Sequence, residues 1–204
     1  MQTNPNTPND QLLQATQRGD KEAVLTLLQQ GAGINARDIQ GRTSLMIATY
    51  QHNTDMVRAL LQAGADVNIR DNNKENPLLH AGAQGWLDIL RLAIEAHADT
   101  SLTNRFGGIS IIPASERGHV EIVRELLIRT DINVNHINNL GWTALLEAIV
   151  LSDGGQAHQQ IVQLLIDHGA DVNLPDKDGV TTLQNARKRG FTEIEHMLLQ
   201  AGAQ

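Results

Sequence analysis

"MVRALLQAGADVN", Met56 to Asn68, carries apolar pairs at Met56-Val57 and Leu60-Leu61 and then a Gly-Ala-Asp turn. Residues at i, i+1, i+4 and i+5 share one stripe of an α-helix, so the stretch predicts a helix with a single buried face. That helix stops at Gly64, because glycine takes the left-handed conformation without a Cβ penalty. The leading pair recurs as "AV" at 23, "MV" at 56, "IL" at 89, "IV" at 122 and "IV" at 161, in steps of 33, 33, 33 and 39. A last copy, "IE" at 194 with "LL" at 198, follows after another 33 residues and puts Glu195 in an apolar slot. The stop signal recurs as "GAGIN" 31, "HADTS" 97 and "GADVN" 169, and His97 in the glycine slot predicts a strained turn.

A second motif fills the space between each stop and the next helix: "DIQGRTSL" 38, "DNNKENPL" 71, "NRFGGISI" 104, "NNLGWTAL" 138 and "DKDGVTTL" 176. Each reads as a tight turn followed by a capping residue, Thr43, Asn76, Thr143 or Thr181, whose side-chain oxygen accepts an N–H from the first turn of another helix. In the fourth unit Ile109 cannot cap, so Ser110 is expected to do so, with Pro113 in the helix's first turn, where its missing N–H matters least.

These offsets, repeated in six consecutive units from Asp10 to Ala203, resemble the ankyrin repeat family, about 33 residues of turn, helix, turn and helix. The resemblance implies an all-α fold, a solenoid of stacked helix-turn-helix units with projecting turns or β-hairpins. Units are expected at about 10–37, 38–70, 71–103, 104–137, 138–175 and 176–204, the first and last being caps, after a disordered tail over residues 1 to 9. "RFGG" 105 and "GWTALLEAIVLSDGG" 141 are similar to small stand-alone bacterial members. The family's "TPLH" survives only as variants such as "TSLM" and "NPLL". One extra residue in "RTDINVN" 129 and five within 151 to 160 account for the step of 39 = 33 + 1 + 5.

Composition narrows the function. Aromatic residues are 2% of the 204, which points to a thin aliphatic core, and a net charge of −7 argues against binding a phosphate backbone. With no cysteine, thiolate chemistry and disulfides are excluded and a cytoplasmic location fits. No apolar run approaches about 18 residues, so a membrane partner is not expected, and "MQTNPNTPND" lacks the features of a signal peptide. The dispersed histidines show no HxxxH spacing for a metal.

The resemblance implies a monomeric, non-catalytic module that binds another protein through a concave groove, without cofactor or metal. The groove slots lie about 8, 6, 5 and 3 residues before, and 5 and 6 after, the Leu or Ile that begins each first helix. At about 100° per residue the two helical slots point away from that core-facing anchor. Arg37, Ile39, Arg42, Tyr50, Arg70, Arg105, Phe106, Ile137, Leu140 and Trp142 occupy such slots and form the candidate partner-binding set, with Phe106 and Trp142 at an apolar centre. Trp86 and Phe191, each following a glycine between two helices, read as packing, and Glu147 reads as a solvated charge beside Trp142. The alternative is a small-molecule or weak catalytic site near 105–108, 141–142 and 151–160, where Ser152, Asp153 and His158 share an inserted loop that reads as a mobile hairpin.

Overall fold

The structure, a computed structural model, describes residues 7–204. Among these it forms twelve helices: α1 (Pro8–Gln17), α2 (Lys21–Gln29), α3 (Ser44–Tyr50), α4 (Thr54–Gln62), α5 (Pro77–Gln84), α6 (Leu87–Glu95), α7 (Ile111–Glu116), α8 (Val120–Arg129), α9 (Ala144–Val150), α10 (Gln156–Asp167), α11 (Thr182–Arg189) and α12 (Thr192–Gln200). The turns between pairs are not hairpins of strands. Among the described residues the ladder is reduced to one isolated bridge, Arg37 with Thr43.

Two compact units result, one of residues through Ala81 with Asp88–Asp99, the other of Gly82–Leu87 with Thr100–Gln204. In the first, α1 packs on α2, α3 on α4, and α1 on α3. In the second, α9 packs against both α7 and α11, and α10 against both α8 and α12. The stripes explain the packing: Met56, Val57 and Leu60 of α4, and Ile122, Val123 and Leu126 of α8, are buried as their spacing requires.

Capping follows the sequence with one exception. Thr43, Thr143 and Thr181 accept from the amides of Met46, Leu146 and Gln184, each at 3.2 Å, and Asn76 accepts from Leu79 at 2.9 Å. Ser110 does not cap. Its backbone is already helical (φ −52°, ψ −36°), its hydroxyl makes no capping bond to the helix, and its side chain lies against Gly82, where a Cβ would come within 2.0 Å of Oγ. The expected strain at His97 is present, as φ is +57°. At the start of the chain α1 begins earlier than expected: Thr7 and Asp10 form a capping box, and Asn9 accepts from the Gly33 amide at 2.7 Å. Residues 7 to 9 therefore belong to the helical structure rather than to the tail, and the remainder of that expected tail lies outside the described residues.

A ladder of asparagines links successive turns. Asn35 accepts from the amide of Asp66, Asn68 from Asp99, Asn135 from Asp171 and Asn173 from Gln204, at 2.8 to 3.0 Å. The asparagine that ends the stop signal is thus a staple to the next unit, a role that helix periodicity does not reveal.

Burial decides where substitutions cost stability. Leu126, fully buried in α8, should lose about 2 to 5 kcal/mol on change to Ala from transfer and cavity terms. Exposed Gln14 of α1 should lose under about 0.5 on the same change. Urea melts showing equal losses would contradict the packing described.

Candidate functional site

Each turn tip is built around one side chain. In the second unit Asn104 Oδ1 accepts from the amides of Phe106 and Gly108 (2.9 and 3.1 Å), and Asn138 Oδ1 accepts from those of Leu140 and Trp142 (2.9 and 3.1 Å). Asp38, Asp71 and Asp176 do the same for the residues two and four beyond them. The bonds fold the backbone back on itself and turn the intervening side chains outward. The two tips then touch: the Asn139 amide donates to the Phe106 carbonyl at 3.0 Å, and His136 Nε2 lies 2.7 Å from the Gly107 carbonyl. Gly107 permits this approach, because φ is +74° and a Cβ would sit 2.3 Å from Asn139 Oδ1.

Five of the candidate residues lie on or next to the joined tips. Phe106, Ile137 and Leu140 are 56%, 50% and 55% exposed, and Trp142 is half-buried beside them in sequence. Arg105 stands over the Phe106 ring at 4.7 Å, a cation–π contact that fixes the ring without covering it.

The first unit uses its candidates differently. Arg37 donates to the carbonyls of Gly41 and Arg70 at 2.8 and 2.6 Å, so it ties two turns. Arg42 pairs with Asp38 at 2.7 Å. The Tyr50 hydroxyl donates to Asp71 at 2.7 Å while its ring meets His80 edge-on, and burial together with that carboxylate raises the phenol above its ordinary range. Arg70 is half-buried, whereas Ile39 is 87% exposed. Arg37, Arg42 and Tyr50 are thus engaged within the protein, whereas Ile39 is offered to solvent.

Glu147 is not the solvated charge its sequence position suggested. It is 5% exposed, and Asn138 Nδ2 donates to its Oε1 at 2.7 Å. Burial, with Glu116 adding repulsion, pushes its carboxyl up to about 7 against the pull of Asn138. Asparagine at 138 now has a reason: an aspartate there could shape the tip, but it would set a second carboxylate against Glu147. The signal was the Asn at a position where three of the five tips carry Asp.

The inserted loop is held rather than mobile. Ser152 is buried and accepts from the Gly154 amide at 3.2 Å, while Arg189 donates to its carbonyl. Gly154 has φ +68°, and a Cβ there would come within 2.4 Å of the Phe191 ring. Phe191 packs as its position suggested. His158 Nδ1 lies 3.2 Å from Asp153, but Nε2 faces the Glu116 carbonyl at 3.0 Å and not the Ser152 hydroxyl. A Ser-His-Asp relay needs that hydroxyl on the second nitrogen, so these three groups do not form one. The seven residues of α9 also separate the loop from Trp142 by about 10 Å at 1.5 Å per residue, so 105–108, 141–142 and 151–160 do not close around one pocket.

The model of the family described as ankyrin repeats (3 copies) matches residues 12–104, 78–176 and 111–204. The chain belongs to the ankyrin repeat family. Over 198 residues it is 48% identical to the ankyrin repeat protein YahD of Escherichia coli K12, covering 97% of this chain and 98% of that one. An ankyrin repeat domain from Acinetobacter baumannii AYE, solved by crystallography, superposes with a TM-score of 0.92 at 53% identity, over 95% of this chain and 98% of that one. A second crystallised ankyrin repeat protein, EF0377, gives 0.89 at 36% identity, over 96% and 99%. The all-helical fold of stacked pairs is therefore that of ankyrin repeat domains, which generally serve as protein-interaction modules. Among the described residues no helix is long and apolar enough to cross a membrane.

The Glu147 carboxyl gives this site a pH signature. Folded, it holds its proton up to about pH 7, against an ordinary 4.5, so between those values the folded state binds the extra proton and stability falls as pH rises. Glu147→Gln, which keeps an acceptor for Asn138, should be more stable than the parent at pH 8 by on the order of 2 kcal/mol. That gain should shrink toward zero at pH 5. Parallel urea melts across this range check it; a gain that does not vary with pH would contradict the assignment.

Proposed function

We propose that this ankyrin repeat protein binds a partner protein non-catalytically through its concave groove, with Phe106, Ile137, Leu140 and Trp142 of the second unit as the apolar anchor. The observation that carries the reading is the exposure of Phe106, Ile137 and Leu140 on two tips that are hydrogen-bonded to each other. Keeping large apolar side chains in water is unfavourable, and exposed clusters of this kind mark interaction surfaces. Aromatic anchors on a rigid backbone lose little entropy on binding, and the Asn104 and Asn138 turns provide that rigidity. Ile39 of the first unit is a secondary contact, with Arg70 and Arg105 beside their respective tips as polar ones; Arg37, Arg42 and Tyr50 contribute by holding the turns in shape.

Substitution separates this surface from the fold. Phe106→Ala and Trp142→Ala should each weaken partner capture by about 2 kcal/mol or more. The far-UV helical signal should be unchanged. Affinity capture from native lysate with parent and double variant, quantified by mass spectrometry, checks it: a protein retained equally by both is not held by these tips, and if every retained protein behaves so the reading fails.

A further inference from the structure

The far end of the same face, where the first helices of the second unit finish, carries a row of three unlike residues. Glu116 closes α7 and Val150 closes α9, while Lys188 lies one residue before the end of α11. Each stands five residues after the Leu or Ile that begins its helix (Ile111, Leu145, Leu183), and twelve after the residue that opens its tip (Asn104, Asn138, Asp176). Because α9 packs against both α7 and α11, the three occupy equivalent places on adjacent helices, reading acidic, apolar and basic across the face.

The two charges of this row are not consumed internally. Glu116 and Lys188 take part in none of the ion pairs of the described residues, and both reach solvent. The neighbouring cations are committed elsewhere: Arg117 donates to the Ala83 carbonyl, Arg189 to the Ser152 carbonyl, and Arg187 pairs with Glu195 at 2.7 Å. At the positive end an open cleft of about 480 Å³ is lined by Val150, Asn185, Lys188 and Arg189. Basic residues in the last turn of a helix offset its dipole, which accounts for some of the charge on α11. It accounts for neither the acidic end, placed at the carboxyl terminus of α7 where the dipole disfavours it, nor the apolar residue between.

We propose that this row receives an extended segment of the partner protein bearing a basic, an apolar and an acidic side chain, which lie over Glu116, Val150 and Lys188 respectively. The proposal rests on the reading of this face as the binding surface. Adjacent packed helices are about 8 to 10 Å apart, and an extended chain advances about 3.3 Å per residue, so the three side chains fall about three residues apart. The acidic side chain enters the cleft, where the Asn185 amide and Lys188 can meet it, and the apolar one covers Val150.

Selection of a displayed random-peptide library on the intact protein tests this. Enriched peptides should carry basic, apolar and acidic residues at about three-residue intervals. By fluorescence anisotropy their affinity should fall about fivefold on Lys188→Glu, the upper range for an exposed charge pair, with the loss diminished in 1 M salt. Selection on Lys188→Glu should replace the acidic residue by a basic one. No enrichment, enrichment without this order, or affinities indifferent to Lys188→Glu would overturn the proposal. Because Lys188 is exposed and lies outside the tips, indifference here together with loss of partner capture by the Phe106/Trp142 double variant would leave the tip reading standing and remove only this one.

Discussion

Everything presented on the candidate face depends on one short-range constraint, the side-chain oxygen that opens each tip and accepts two amides beyond it. Asp38, Asp71, Asn104, Asn138 and Asp176 each perform it. The backbone closes the same turn from the other side, with the amide of the opening residue donating to the carbonyl four residues on, as Asn138 does to Trp142 at 3.0 Å. A loop this tightly bonded loses little further freedom when a partner arrives. It also delivers the chain directly to the capping residue of the next helix, so tip shape and helix start are set by a single stretch of about six residues.

Given that shared device, the two compact units differ in what they do with their outward side chains. In the first, Arg37 and Tyr50 reach back to Arg70 and Asp71 of the next turn, which spends polar groups on internal ties. In the second, a histidine adds to the backbone bond that joins neighbouring tips in both units (Asn72 to Gln40, Asn139 to Phe106), and the side chains of Phe106 and Leu140 stay more than half exposed. Asn138 serves both ends of this arrangement, shaping its tip with one atom and meeting buried Glu147 with the other. A titrating carboxyl beneath the apolar tip is the energetic price of that pairing, and it makes local stability sensitive to pH near neutrality.

Much of the fold was legible because it is periodic. Apolar pairs four residues apart, glycine stops and Thr or Asn caps each report a local preference, and in a repeat every local preference is restated five or six times. Legibility failed where a residue answers to a neighbour distant in sequence. Ser110 looked like a cap, but its side chain is turned toward Gly82. The loop at 151–155 looked mobile until Arg189 and Phe191, more than thirty residues on, were seen to hold it. The asparagine ladder links residues 31 to 36 positions apart, which no helix or turn rule anticipates. At the candidate site the exposure of Phe106, Ile137 and Leu140 agrees with the outward slots that the family resemblance implies, whereas the internal ties of Arg37, Arg42 and Tyr50 were not legible, since an offset gives direction and not partner.

The central claim is that the tips bearing Phe106, Leu140 and Trp142 are rigid before any partner binds. Amide hydrogen exchange measured residue by residue by NMR tests it most directly. The amides of Phe106, Gly108, Leu140 and Trp142, bonded to Asn104 and Asn138, should exchange far more slowly than in an unstructured chain and with protection comparable to that of α9, although Phe106 and Leu140 are more than half exposed. Exchange of those amides at free-chain rates while α9 remains protected would show tips that order only on binding, and would contradict the account.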